Sequence, residues 1–348
     1  DVSKLKKGNK NIKIIDSPVF FQNIKSRYVK YFICLMTLIR KILNDKNVIV
    51  LSFQANIYAI LVCKLFGVKI LVRANASSLI WASNLFKVTL FKWIFKIADG
   101  VIVNSKDLKK EFLKKFKVNA ELIYNPLNIN EIKRITKIYD GSNYLMVGFN
   151  RRFSPHMKAI KDFLKDSNDP INMTITINAG FIPIDSWVHD TKIGGGRIIG
   201  EACHFLDLCV FLTGSKINRL SAVSLNNSCK KNSDNVILNL QFKNGSIASI
   251  NYFSNGAVNY SKERIEVYSR GRTFISDNFK LTQAYGVPKF KTIKTKIDKG
   301  HDLQFKYLID RLKDQKEPLI SFDEIINVSK SSILSIQSLA SNEWVDIS

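Results

Sequence analysis

The spacing of hydrophobic residues divides the chain into two parts with different rhythms. In the first part, short apolar runs alternate with longer helical stretches; the runs span residues 48–53, 70–72 and 101–103, and the helical stretches 28–43, 57–66 and 79–98. Short apolar runs separated by helices are typical of the buried parallel strands of α/β proteins. The pattern therefore predicts a doubly wound α/β domain, Rossmann-like but partial, over residues 1–138.

The second part, residues 144–348, shows the alternation of successive antiparallel strands. Two of its apolar runs flank Lys243-Asn244-Gly245, which is a strong hairpin signal. Ser321 and Glu324 predict a capping box at the start of the last helix. We expect an α+β domain with a mostly antiparallel open sheet and helices on one face. The assigned elements are strands 173–178, 236–242, 246–253, 263–269 and 273–276 and helices 302–313 and 322–341.

Charge strengthens the division into two parts. The chain carries a net charge of +24, and residues 1–140 hold 26 Lys and Arg against 9 Asp and Glu, whereas residues 141–348 hold 27 against 20. A basic surface is compatible with nucleic acid, anionic lipid or a phosphorylated substrate. Nucleic acid is disfavoured because the sequence has no zinc-finger spacing, RNA-binding aromatic signature or basic heptad helix. A biased genomic base composition is an alternative source of the lysines.

Cysteine usage and hydropathy bear on the compartment. The five cysteines are odd in number and scattered, which predicts a reduced, cytoplasmic protein with neither a disulfide framework nor a metal cluster. The longest apolar run, 31–39, is too short to span a bilayer, and no signal peptide pattern is visible. The helix predicted over 79–98 interleaves aromatic residues with Lys87, Lys92 and Lys96. Such a helix either lies peripherally on an anionic membrane or buries its apolar side against a sheet.

The segment 194–212, GGGRIIGEACHFLDLCVFL, places four ionisable residues on an otherwise apolar helix. Arg197, Glu201 and His204 share one stripe, and Asp207 lies at its edge. His204 is either a core histidine satisfied by a neighbouring carboxylate or an acid/base whose pKa is tuned by burial and by Glu201 or Asp207. Because sealed ionisable groups are costly, we expect the stripe to face a substrate cleft, with His204 pointing toward residues 187–190.

Further candidate ligands flank this helix in the sequence. Arg151 and Arg152 have the fork geometry that binds a phosphate or a carboxylate, and a salt-bridged pair at a domain junction is the alternative. Trp187, His189 and Asp190 precede the glycines and would line the substrate pocket, although Trp187 is equally compatible with a core position. These residues, together with Arg197 and Asp207, are the predicted substrate contacts, and His204 and Glu201 are the predicted catalytic pair.

Four blocks of the second part resemble the C-terminal domain of the Gfo/Idh/MocA oxidoreductases: YLMVGFNRRFSP (144–155), NAGFIPIDSWVHD (178–190), GGGRIIGEACHFLDL (194–208) and KGHDLQF (299–305). The resemblance implies a sugar or nucleotide-sugar dehydrogenase that transfers hydride to or from NAD or NADP, with His204 as acid/base. Many members have an aspartate four residues before that histidine, where this chain has Gly200, followed by Glu201.

The first part resembles the acceptor domain of GT-B glycosyltransferases through residues 50–75, 98–112 and 121–128. The chain lacks the G-x-G-x-x-G turn of a dinucleotide domain, the Gfo/Idh/MocA catalytic lysine and a GT-B donor domain. It is therefore interpreted as a fusion of two partial enzymes. Three functions stay open: an incomplete sugar oxidoreductase, a glycosyltransferase of cell-surface polysaccharide synthesis or its remnant, and a non-catalytic module that forms homo-oligomers through the antiparallel sheet.

Overall fold

The computed structural model describes residues 27–52, 56–74, 85–103, 106–122, 128–141, 145–165, 169–189, 195–225, 234–314 and 316–347. They belong to two compact units: an N-terminal unit within Ile15–Asn125 and a C-terminal unit that includes Pro126–Ser348. Each unit has its own cluster of buried apolar side chains. No helix among the described residues is long and apolar enough to cross a membrane.

The N-terminal unit is built on a four-stranded parallel sheet. Its elements are α1 (Arg27–Asn44), β1 (Ile49–Ser52), α2 (Asn56–Leu65), β2 (Lys69–Ala74), α3 (Leu85–Lys96), β3 (Gly100–Val103), α4 (Lys106–Glu111), which continues as a π-helical turn over Phe112–Phe116, and β4 (Glu121–Leu122). The strands pair in chain order, β1-β2-β3-β4. Their alternate residues, such as Ile70 and Val72, are buried. The predicted alternation of strand and helix is confirmed at this level.

The expected double winding is not found in the described part of this unit. Sequential parallel strands joined by right-handed crossovers place α2 and α3 on one face of the sheet, and these two helices contact each other. A doubly wound sheet requires a reversal of strand order, and none occurs between β1 and β4. At the β1 edge, Ile49 and Leu51 are accordingly exposed.

The C-terminal unit begins earlier in the chain than the predicted join between residues 138 and 144. Helix α5 (Ile129–Ile138) opens with a capping box formed by Asn128 and Glu131. The residue after the helix, Tyr139, stacks on Phe322 with ring centroids 4.1 Å apart. This packing assigns α5 to the C-terminal unit. This helix is not among the predicted elements, and its amphipathic spacing does not by itself show which domain covers its apolar side.

The core of the C-terminal unit is a nine-stranded sheet with helices against one face, as predicted. In chain order the elements are α6 (Pro155–Leu164), β5 (Asn172–Asn178), α7 (Cys203–Thr213), β6 (Ile217–Ser224), β7 (Val236–Phe242), β8 (Ile247–Phe253), β9 (Glu263–Ser269), β10 (Arg272–Asp277), β11 (Leu281–Tyr285), β12 (Ile293–Lys294), α8 (His301–Lys313), α9 (Phe322–Ser341) and β13 (Val345–Asp346). The strand order is β12-β11-β10-β9-β5-β8-β7-β6-β13, and every pair is antiparallel except β5–β8.

Local chemistry explains the principal turns. The β7–β8 hairpin turns at Gly245, whose φ of 85° belongs to the left-handed region that glycine tolerates. Helix α9 is capped by Ser321, whose hydroxyl accepts from the backbone N–H of Glu324. The carboxylate of Glu324 instead accepts a hydrogen bond from Arg152 at 2.8 Å. The first half of the predicted capping box is therefore present, but the Glu324 carboxylate is bonded to Arg152 and not to the backbone N–H of Ser321.

Candidate functional site

The helix that carries the four ionisable residues begins with an irregular turn. Gly195 and Gly196 have φ values of 73° and 80°, residues Ile198–Ala202 form a π-helical turn, and α7 follows. A π-turn holds more residues per turn than an α-helix, so it rotates the side chains before it relative to those after it. The single polar stripe expected from α-helical spacing therefore does not form.

Asp207 is turned into the core and paired with Arg152. The guanidinium forks onto the carboxylate, with Nε–Oδ2 and Nη2–Oδ1 distances of 2.9 and 2.6 Å, and both residues are buried. Burial raises the pKa of Asp207 to about 6, and the Arg152 charge opposes that rise. The expectation that Asp207 faces a cleft is wrong, because the ion pair uses both residues inside the protein. Ligand contact by Arg152 has no geometric support from this arrangement.

Arg197 is buried as well, with 2% of its surface exposed. Its Nη1 donates to the Gly180 carbonyl at 2.6 Å, and its Nη2 donates to the Ala179 carbonyl at 3.2 Å and to Glu201 Oε2 at 3.1 Å. The expectation that Arg197 faces a cleft is therefore wrong. The Arg197 side chain therefore links the start of the helix to the segment after β5 by hydrogen bonds and also binds the Glu201 carboxylate.

Glu201 does reach the surface, with 43% of its side chain exposed. Its Oε2 accepts hydrogen bonds from the Tyr252 hydroxyl and from Arg197, and no described residue bonds Oε1. Desolvation raises the pKa of Glu201, but these two hydrogen bonds and the Arg197 charge outweigh it, so the pKa is lowered overall. Glu201 is thus an ionised, fixed carboxylate with one oxygen open to a ligand.

His204 is half-buried one turn further along. Its Nδ1 is buried without a partner among the described residues, and its ring contacts Phe149 edge-on, with centroids 6.0 Å apart. Burial lowers the pKa of His204 to about 4, assisted by the charge of Arg151, while Glu263 and Glu201 act in the opposite direction. The imidazole is therefore neutral at pH 7. Its Nδ1 is not satisfied in the way that a core histidine requires.

A second ion cluster adjoins His204. Arg151 forks onto Glu263, with Nε–Oε2 and Nη2–Oε1 distances of 2.9 and 3.0 Å, and Lys299 Nζ lies 2.6 Å from Glu263 Oε1. The guanidinium also lies 4.5 Å above the Phe205 ring. Glu263 is fully buried, and the desolvation that raises its pKa is outweighed by Arg151 and Lys299, which lower it. Glu263 is not among the predicted site residues; an acidic residue that opens a β-strand was the available signal.

The predicted pocket wall at residues 187–190 is only partly visible. His189 is buried; its Nε2 lies 3.2 Å from the Ile182 carbonyl oxygen, and its Nδ1 has no partner among the described residues. The Trp187 backbone lies in the 3-10 turn Trp187–His189, whereas its side chain and the whole of Asp190 lie outside the described residues. Substrate contact by these three residues stays a prediction.

A dinucleotide site finds no matching cradle in the described N-terminal unit. In a Rossmann fold, a glycine-rich turn after the first strand brings the pyrophosphate to the helix N-terminus. Here β1 is followed by Phe-Gln-Ala and then α2. Asn56, at the start of α2, accepts from the Ser52 hydroxyl at 2.8 Å and donates to the Arg73 carbonyl at 3.0 Å. The residues that the structure describes around this turn therefore do not fit a glycine-rich pyrophosphate cradle.

Part of the C-terminal unit matches the model of a known family domain. Residues 169–274 match the model of the GFO/IDH/MocA C-terminal domain. An uncharacterized oxidoreductase of Bacillus subtilis, YrbE, is 26% identical over 196 residues, which are 54% of this chain and 54% of that protein. The matched region thus spans about half the length of this curated relative.

Solved structures extend the likeness in fold. An oxidoreductase domain protein from Kribbella flavida has a TM-score of 0.58 at 16% identity, over 86% of this chain and 90% of that one. An Agrobacterium radiobacter oxidoreductase in complex with NAD+, L-tartaric acid and magnesium has a TM-score of 0.55 at 17% identity, over 85% and 90%. A levoglucosan dehydrogenase in complex with NADH has a TM-score of 0.54 at 15% identity, over 86% and 89%.

These comparisons bear on the interpretation of the first part. The aligned share is larger than the C-terminal unit alone, so the oxidoreductase-like fold includes part of the N-terminal unit. Residues 50–75, 98–112 and 121–128 carried the resemblance to a glycosyltransferase. Features of this kind recur in many α/β proteins, because parallel strands alternating with helices occur in both Rossmann-like oxidoreductases and GT-B enzymes. The comparisons give no support to a glycosyltransferase domain or to a fusion.

Proposed function

We propose that the C-terminal unit is the substrate domain of an oxidoreductase that acts on a hydroxylated, sugar-like compound, with His204 as its acid/base. The observation that carries this proposal is the neutral, half-buried imidazole of His204 beside the open carboxylate oxygen of Glu201. Both groups have lost their titratable proton at pH 7, and neighbouring ionisable groups with shifted pKa values are typical of acid/base sites. The family match of residues 169–274 supports oxidoreductase chemistry.

In this proposal His204 takes the proton of the substrate hydroxyl as its carbon is oxidised and returns the proton in the reverse direction. A general base must be neutral beforehand, and burial together with the Arg151 charge keeps the pKa of His204 at about 4. Glu201 Oε1 would accept a hydrogen bond from a second hydroxyl of the same substrate. Glu201 thereby takes the place that an aspartate at position 200 would hold in the family.

The redox partner is proposed from likeness alone. Solved relatives are complexes with NAD+ or NADH, and NAD or NADP is the cofactor we expect. Calorimetric titration of the full chain with NAD+ and NADP+ tests it. Saturable heat for either one supports a self-sufficient dehydrogenase, and no heat at all excludes one.

Ligand binding tests the substrate proposal separately from the cofactor. Myo-inositol and levoglucosan are suitable probes because both present several ring hydroxyls. We expect calorimetry to detect binding of at least one of them. The affinity should be about tenfold weaker in His204→Asn, which loses a hydrogen bond to a neutral group, and in Glu201→Gln, which loses a hydrogen bond to a charged group. Identical affinity in the wild type and both variants would place the ligand elsewhere.

The open face of the sheet supports a second proposal, that the unit also assembles into homo-oligomers. Among the described elements, α7 and α9 contact the sheet. The buried strand residues, such as Ile175 and Ile250, lie on one side of it, and exposed Val223, Ile247 and Tyr268 lie on the other. Ile247 and Tyr268 flank Asn172 in register on adjacent strands. Light scattering tests this assembly: a multimer that Ile247→Lys dissociates supports it, and a monomeric wild type rejects it.

A further inference from the structure

Three helices of the N-terminal unit expose large apolar side chains. Leu65 is 80% exposed, Phe86 76% and Trp93 63%. Such exposure is unusual for side chains of this size when it recurs on neighbouring helices. The set consists of Val29, Phe32, Met36 and Leu43 on α1, Tyr58, Leu61 and Leu65 on α2, and Phe86, Leu90 and Trp93 on α3.

On each helix these side chains form one stripe. Positions 58, 61 and 65 on α2 and 86, 90 and 93 on α3 follow the three- and four-residue spacing of a single helical side. The helices are neighbours, since α2 contacts both α1 and α3 and the rings of Tyr31 and Tyr58 are 6.3 Å apart. The buried sides, with Ile60 and Ile94, face the core. We call the outward surface of α1, α2 and α3 the helical face.

The charge of the helical face has one sign. The three helices contain no acidic residue. Lys64 is paired with Asp99, which follows α3, at 2.6 Å. Among the side chains that the structure describes, the basic residues of the three helices are Arg40, Lys41, Lys64, Lys87, Lys92 and Lys96.

We propose that the helical face docks on an anionic lipid bilayer. Aromatic and aliphatic side chains, with Phe86 and Trp93 foremost, enter the boundary between headgroups and acyl chains, and the lysines contact anionic headgroups. A surface that combines aromatic stripes with one sign of charge complements a negatively charged leaflet. Because no described helix is able to span a membrane, the proposed contact is peripheral. It is independent of the chemistry proposed for the C-terminal unit.

Vesicle flotation of the full chain tests this docking. We expect the protein to float with vesicles that mix phosphatidylcholine and phosphatidylglycerol, less with phosphatidylcholine alone, and less again at high salt. Lys92→Gln and Lys96→Gln should each lower the partition coefficient about fivefold, since one basic residue near such a surface contributes about 1 kcal/mol. Phe86→Ser combined with Trp93→Ser should abolish flotation.

The matched control is Phe305→Ser on α8, a similarly exposed aromatic residue of the C-terminal unit, and its flotation should equal that of the wild type. Trp93→Phe supplies a second measurement that does not depend on lost binding. The difference in fluorescence between wild type and this variant isolates the Trp93 emission, which should move to shorter wavelength when anionic vesicles are added. No flotation at low salt, or unchanged flotation of the Phe86→Ser/Trp93→Ser protein, overturns the proposal. The proposal is also overturned if the Phe86→Ser/Trp93→Ser protein still floats with vesicles but no longer self-associates.

Discussion

Tyr252 and Glu263 lie in register on the two sides of Ile177. Ile177 of β5 pairs with Tyr252 of β8 and with Glu263 of β9, so the two polar residues stand about 10 Å apart on one face of the sheet. Tyr252 holds Glu201, and Glu263 holds Arg151. The sheet thereby fixes Glu201 and Arg151, two of the charges whose fields act on the pKa of His204.

Removing the cation of this arrangement should raise the pKa of His204. In Arg151→Gln, the field that lowers the pKa is lost, while the buried Glu263, which raises it, remains. A pH titration of the imidazole signals by NMR measures the change. Arg264→Gln is the control, since Arg264 pairs with Glu266 instead, and it should leave the His204 pKa in place. Equal pKa values in Arg151→Gln and the wild type would refute this electrostatic account.

Removing the hydroxyl of Tyr252 should raise the pKa of Glu201. Tyr252→Phe keeps the buried ring but deletes the donor to Oε2, and this hydrogen bond is the foremost of the interactions that lower that pKa. Carboxyl carbon NMR follows the titration directly. Tyr268→Phe serves as the control because its hydroxyl donates to Glu266. A Glu201 that titrates identically in Tyr252→Phe and wild type would show that Tyr252 does not hold it.

The Arg152–Asp207 pair should matter for stability. Asp207→Leu leaves the buried guanidinium with only Glu324, and breaking a buried pair costs about 3–5 kcal/mol. Urea unfolding provides the comparison. Asp323→Ala, which breaks the exposed pair with Lys216 at 2.6 Å, should cost about 1 kcal/mol or less. Similar losses in the two variants would contradict a structural role for the buried pair.

The pH dependence of stability should report on His204. Its pKa in the folded chain is about 4, below the ordinary 6.5, so between these values the unfolded chain binds a proton that the folded chain does not. Stability contributed by the neutral imidazole is therefore present above pH 6.5 and lost as the pH falls toward 4. Comparison of urea unfolding at pH 7 and pH 5 should show a smaller loss for His204→Asn than for wild type. An equal loss would argue against a depressed pKa.

Sequence patterns predicted the elements better than they predicted side-chain partners. Alternation located the open sheet and its hairpins, because inward and outward residues differ along β7 and β8. Helical spacing alone does not predict the π-turn at Ile198–Ala202, so it did not show that Asp207 is buried while Glu201 reaches the surface. Arg151 and Glu263 are 112 residues apart in sequence, so their ion pair could not be predicted from spacing. The position of Glu263 follows from the pairing of β9 with β5, which is a tertiary contact.

The central claim is that His204 is a neutral base open to a polyol, and NMR of the histidine rings tests it most directly. The chain has four histidines, so single substitutions assign every ring signal. His156 is the internal control, because it is buried with both ring nitrogens against threonine hydroxyls at 2.8 and 2.9 Å. The account predicts a pKa of about 4 for His204 and movement of its signals, but not those of His156, on addition of myo-inositol or levoglucosan. An ordinary pKa near 6.5, or signals of His204 that stay fixed at saturating concentrations of both compounds, would contradict it.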